Sequence, residues 1–391
     1  MKTNIIRPTV RPALLVVFLV LISLVSSCGF LARQRDRSNS PAGDRSPNTP
    51  TKVSGLSSKV STSASLDQIS EKSSEILKSG DYSELESSLD QARESRERLT
   101  GGYWKLYAIY SGLATPNFMK NASDAEWQAH LARLDEWSRS SPDSISARVA
   151  LAEAWLSYGA EARGEGFADT VSDDNMRLYQ ERTAKSLDIL TQAKAIAAKC
   201  PEWYSAMLAV GMAQGWKLSK FDAVFEEGFA LEPTYYHLQR VKVSYLLPQW
   251  YGKEGDVGRF ITENSSRIKG DEGEIMYFEL LCTLQPVFRG EVFERSGLSW
   301  PKAKAAYAIL KNQYGVDKYR RNNYLYFATR GLDVDTSIEA AGEVGGEWDE
   351  SVWGSKRQFD QTVNGIEMMR KAKMGQLPPP NVRPQQQPTS K

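Results

Sequence analysis

Apolar residues recur at helical spacing along most of this chain, in segments that stop and restart at glycine and proline. Nowhere do they keep up the period-two alternation that a strand needs, so the pattern predicts an all-α protein. Ser65-Leu66-Asp67-Gln68 reads as a capping box that opens a helix with Leu66, Ile69, Ser73 and Ile76 on one face. Ser79-Gly80 breaks it, and Asp81 starts a second helix with Leu85, Leu89, Ala92 and Leu99. Beyond Gly101-Gly102, a third stripe contains Leu106, Ile109, Tyr110 and Leu113. A second capping box, Ser123-Asp124-Ala125-Glu126, leads a helix with Trp127, Leu131, Leu134 and Trp137, ending near Ser141-Pro142. The cycle continues through Leu151, Trp155 and Tyr158, an interruption from Gly164 to Asp174, and Leu187, Leu190 and Ile196 up to Cys200-Pro201. Trp203, Met207 and Val210 begin the next round, and Phe221, Phe225, Gly228 and Phe229 finish it at Pro233. Tyr235, Leu238, Val241 and Tyr245 then start again, with further helices expected at 275–284, 303–314 and 324–331.

Pro201 and Pro233 lie 32 residues apart, each at the expected end of an amphipathic helix. That interval is close to the 34-residue tetratricopeptide period, and the segment resembles that motif. Phe225 matches its aromatic position in the second helix, and Gly228 stands where a small alanine lets two helices approach. Leu208-Ala209 replaces the usual Leu-Gly pair and Phe221 a usual alanine, so the resemblance implies a degenerate repeat. Residues 123 to about 365 also resemble a family of bacterial domains of unknown function with tetratricopeptide-like helices. The shared stretches are Leu134-Asp135-Glu136-Trp137, Pro142-Asp143-Ser144, Ala160-Glu161-Ala162-Arg163-Gly164, Tyr245-Leu246-Leu247-Pro248-Gln249-Trp250, Trp348-Asp349 and Val352-Trp353-Gly354. The resemblance implies an α-solenoid of degenerate helical hairpins and transfers no reaction.

The N-terminus carries a different message. Lys2, Arg7 and Arg11 precede an uncharged apolar run from Ala13 to Ser27, shorter than the ~20 residues a spanning helix needs. Leu24-Val25-Ser26-Ser27-Cys28-Gly29 closes the run and resembles the bacterial lipoprotein signal. That resemblance implies cleavage before Cys28 and diacylation of its thiol, which would hold the chain on a leaflet by the burial of acyl methylenes. Gly29, in the place of a retaining aspartate, favours the outer membrane. The expected organisation is a signal peptide at 1–27, a disordered linker at 28–64, an N-terminal helical segment at 65–115, a tetratricopeptide-like domain at 123–370 and a disordered Pro/Gln-rich tail at 375–391. The linker is rich in Ser, Pro, Thr and Arg, with Phe30 its one aromatic residue, too little to bury a core.

The formal net charge is +1, which supplies no basic field for nucleic acid. Cys200 and Cys282 are expected as two buried thiols in different helices rather than as a disulfide. His130 and His237 are the only histidines, and neither has a histidine or cysteine at metal-ligand spacing. Both are read as surface or groove residues. No nucleophile elbow or phosphate loop is present, and no cofactor is implied. Carboxylates for glycoside cleavage could come from Glu161 and Glu165, or from Glu347, Asp349 and Glu350, although a solvated helix face is the simpler and favoured account of them.

Aromatic residues concentrate where first helices of repeats would face a groove. Tyr158, Tyr204, Tyr236, Trp250 and Tyr251 are the candidates for lining it, since Tyr and Trp often anchor interfaces. The functional expectation is a scaffold or assembly factor, anchored through lipidated Cys28 to a membrane facing the periplasm, that binds an envelope protein or peptide. A glycan-binding module or glycan-processing enzyme is the alternative.

Overall fold

Capping chemistry sets where the helices begin. In the computed structural model, which describes residues 65–116, 122–164, 170–196 and 200–374, Ser65 Oγ accepts from Gln68 N (3.3 Å). Gln68 Oε1 accepts in turn from Ser65 N (2.7 Å), completing the box that opens α1 (Leu66–Ser79). Gly80, at φ 78°, ends it. Cys28, the leader, the linker and the 375–391 tail lie outside the described residues. The chain divides into two compact units, Met1–Asp317 and Lys318–Lys391. Among the described residues there is no strand, only an isolated antiparallel bridge between Arg98 and Trp104.

The first unit continues with α2 (Tyr82–Ser95), α3 (Lys105–Leu113), α4 (Asp124–Ser140), α5 (Ile145–Arg163), α6 (Asp173–Gln192) and α7 (Pro201–Ala213). It ends with α8 (Leu218–Leu231), α9 (Tyr236–Tyr245), α10 (Asp256–Arg267), α11 (Asp271–Phe288), α12 (Val292–Ser296) and α13 (Trp300–Tyr314). Ser123 and Glu126 form the second capping box as expected. Pro201 departs from expectation. It opens α7 instead of closing the helix before it, because a first-turn residue needs no N–H partner and proline's fixed φ already suits a helix. Pro233 lies in the turn between α8 and α9.

Odd-numbered helices from α1 to α13 each pack against the next odd one, while α6, α8 and α10 each bridge two of them. Burial follows that division. In α7, eleven residues from Pro201 to Met212 are buried, whereas α8 buries only Phe221, Phe225, Gly228 and Phe229. Helices α3, α5, α9 and α11 are buried on most sides in the same way. Gly228 allows close approach of α8 to α7, since a Cβ there would stand 2.7 Å from Tyr204 Cβ. Gly228→Ala is expected to destabilise the protein by about 2 kcal/mol through overpacking, measurable as a lower urea midpoint with unchanged m-value.

The second unit comprises α14 (Lys318–Arg330), α15 (Val334–Val344), α16 (Glu350–Trp353) and α17 (Lys356–Lys373). Buried Asn322 ties α14 to α16. Its amide nitrogen donates to the Glu347 carbonyl (2.8 Å), and its oxygen accepts from Trp353 Nε1 (2.7 Å) and Asp349 N (3.2 Å). No helix among the described residues is long and apolar enough to cross a membrane.

Candidate functional site

The groove candidates divide on burial. Tyr158, Tyr204 and Tyr236 are 3, 9 and 3 % exposed, so they are packing residues and not free groove walls. The Tyr158 ring stacks on Trp127 (4.8 Å) beneath the Arg182 guanidinium, and its hydroxyl donates to Asp124 Oδ1 (2.6 Å). Tyr204 lies against Trp203 and Gly228. Only Trp250, half-buried, and Tyr251, exposed, reach the surface. Helical spacing identifies an apolar face but not whether a second layer covers its far side, and here such a layer exists.

Residues 97–105 supply it over Tyr236, while Trp127 and Arg182 cover Tyr158 and α8 covers Tyr204. Leu99 N donates to Tyr103 O (2.7 Å) and Lys105 N to Glu97 O (3.0 Å), closing a short finger turned by Gly101 and Gly102 at φ 80° and 76°. The finger rests on the α9, α11 and α13 ends. Gly101 N donates to Gly315 O (3.2 Å), and Gly102 sits against Leu310, Tyr314 and Tyr236. Arg98 is the clamp: it donates to Thr234 Oγ1 (2.8 Å), pairs with Glu272 (3.6 Å) and lies between the Trp104 and Tyr236 rings (4.2 and 5.0 Å). Trp104 Nε1 adds a bond to Thr234 O (2.8 Å). Arg98→Ala should lower stability by about 2 kcal/mol, with faster amide exchange concentrated in residues 97–105.

Behind the finger, α3, α5, α7 and α9 enclose a buried acid pair that sequence reasoning missed. Glu153 of α5 and Glu202 of α7 share a hydrogen bond. Glu202 also accepts from the Tyr235 hydroxyl and from His237 Nδ1 (2.7 Å). Burial, then the charge of Glu202, hold the Glu153 carboxyl protonated well above its usual range. Burial also works against the Glu202 charge, but His237 together with the bonds from His237, Glu153 and Tyr235 outweighs it and leaves that carboxyl lowered. Beside the pair lies a cavity of about 30 Å3, room for a water and little else. Cys200 and Tyr110 lie close by, with Sγ and the hydroxyl 3.7 Å apart. The one available signal was an acid set in an apolar helix, as in Ala152-Glu153-Ala154 and Pro201-Glu202-Trp203.

Hydrogen-bonded carboxyls stand too close for glycoside hydrolysis, which uses separations of about 5–5.5 Å or 6.5–9.5 Å with the sugar between. The carboxylates singled out in the sequence are engaged elsewhere: Glu161 accepts from Trp127 Nε1 (2.7 Å), Glu347 pairs with Arg321 (2.8 Å) and Asp349 caps α16 through Ser351 N (3.0 Å). Glu165 lies outside the described residues. His130 is interior, contrary to the surface or groove position expected of it: it is 2 % exposed and donates through Nε2 to Leu113 O (2.8 Å), whereas His237 is half-buried and lines the cavity beside the acid pair. Cys200 and Cys282 are buried and not joined by a disulfide. Among the described residues no group of three or more His, Cys, Asp or Glu side chains is placed to hold a metal ion. Comparison of the chain with protein-family models, curated proteins and solved structures returned no match.

Proposed function

We propose that this chain is a lipid-anchored protein of the bacterial cell envelope whose first unit is a tetratricopeptide-like solenoid that holds a protein or peptide partner. The observation that carries the reading is the seat of residues 97–105. A short segment with one arginine and one tryptophan satisfies the ends of three inner helices, which is the chemistry of peptide recognition met within one chain. Stacking of alternate helices and the Gly228 contact support the repeat reading. Anchoring through Cys28 rests on the signal-like start of the sequence; Cys28→Ala should move the protein from the membrane to the soluble fraction with its melting temperature unchanged.

Photo-crosslinkers at Leu218 and Tyr251, both exposed, are to be introduced in cells. The expected result is one discrete protein or peptide partner that re-forms a stoichiometric complex from purified components. A protein that remains monomeric in mild detergent, with nothing captured at either position, would overturn the scaffold reading.

A further inference from the structure

Five of the seven large apolar side chains that stand exposed among the described residues lie in the second unit: Leu332, Val334, Met368, Met369 and Met374. Leu332 is the most telling. Asp333 N donates to Ala328 O (3.1 Å) and Leu332 N to Thr329 O (3.3 Å), the paired bonds that close a helix over a left-handed residue, a place glycine normally takes. Here leucine takes it, at φ 54°, with its side chain 86 % exposed. Left-handed backbone and an apolar side chain in water both cost free energy, and at that exposure packing within the chain offsets neither.

The end of α17 adjoins this turn, because Lys373 Nζ pairs with Asp335 in the first turn of α15. Helical geometry sets Met368, Met369 and Met374 about 100° and about 140° apart around the α17 axis, and each is more than half exposed. A rigid partner laid on one face would cover one or two of the three, whereas the fluid boundary of a bilayer encloses a helix end from every side. The charges suit such a surface. Arg330, Arg370, Lys371 and Lys373 accompany the apolar tips, with long stems that can lie along lipid while their heads stay in water. Of the acids nearby, Asp333 is spent on capping Thr336 N (3.1 Å), and Asp335 and Glu367 sit in exposed pairs with Lys373 and Arg370, which hold weakly. Beyond Met374 the sequence adds Arg383 and Lys391 and no acid.

We infer that this end of the second unit, with Leu332 at its tip, dips into the headgroup layer of an anionic bilayer. The inference deepens the reading of a membrane-held chain and rests on it for a bilayer within reach. Met368→Cys carrying an environment-sensitive fluorophore is the reporter, in the full chain incorporated into vesicles of phosphatidylethanolamine and phosphatidylglycerol at about 3:1. Cys200 and Cys282 are buried and do not compete for the label. Blue-shifted emission and quenching by spin-labelled acyl chains are expected, with quenching about threefold weaker or less in pure phosphatidylcholine. Leu332→Gly should cut the quenching by about threefold or more while the melting temperature stays equal or rises, since glycine relieves the left-handed backbone. Lost insertion is thereby separated from lost folding. An aqueous reporter in the anionic vesicles overturns the contact; flotation of that chain with the vesicles would leave the anchor reading standing, so the two fail separately. Quenching that Leu332→Gly leaves unchanged also overturns it, as does a reporter that shifts only when an envelope protein is added.

Discussion

Glu202→Gln is expected to cost about 3–5 kcal/mol of folding stability at pH 7, whereas Glu153→Gln should cost less than about 1 kcal/mol, although the two carboxyls touch. The asymmetry follows from their neighbours. Glu202 accepts from Tyr235, His237 and Glu153, and all three donors point at its negative charge. An amide there turns two hydrogens toward groups that are themselves donors. Glu153 is already neutral in the folded protein, so a neutral amide that still donates toward Glu202 replaces it closely. Urea unfolding of both variants and of the double variant measures the difference and the coupling. Equal losses for the two single variants would mean that the charge does not reside on Glu202.

Stability should fall by about 3 kcal/mol between pH 6.5 and pH 4 through His130 alone. Burial lowers its pKa from 6.5 to about 4, with Arg133 and Lys78 adding to the shift and the bond to Leu113 O opposing it. The folded protein thus keeps His130 neutral while the unfolded chain takes up a proton below pH 6.5. Its contribution is complete above the unfolded value and lost as pH falls through the folded one. Glu202, lowered on folding, adds to the acid loss below the ordinary carboxylate range. Glu153, raised on folding, acts in the opposite sense: its contribution is present in acid and declines as pH rises. His130→Gln, measured by thermal melts from pH 7 to pH 4, should flatten the first part of this curve. A wild-type melting temperature constant between pH 6.5 and 5 would contradict the assignment.

Local rules were legible in the sequence. Ser65 and Ser123 cap helices where the capping boxes place them, the stripes around Leu85, Trp127, Phe221 and Ile275 are buried, and Gly228 sits at a close helix crossing. Helices α10, α15 and α17 were not read, because short polar stretches such as Asp256–Arg267 bury few residues and their stripes are thin. Pro201 was placed at the wrong end of its helix, since a proline between two helical stripes suits the close of one and the start of the next equally well.

Long-range placement was decided elsewhere. No spacing rule relates Arg98 to Thr234 and Glu272, or Glu153 to Glu202 and His237, because those pairs meet only when helices far apart in the chain are stacked. The same stacking buried Tyr158, Tyr204 and Tyr236, which the pattern offers as a groove, and left Tyr251 exposed. The amino-acid sequence by itself determined that the chain is helical, where many of its helices begin, and that its start resembles a lipidation signal. Tertiary structure alone decided which apolar faces were covered twice and which acid kept its charge, since burial and neighbouring donors depend on contacts between segments that local spacing does not encode.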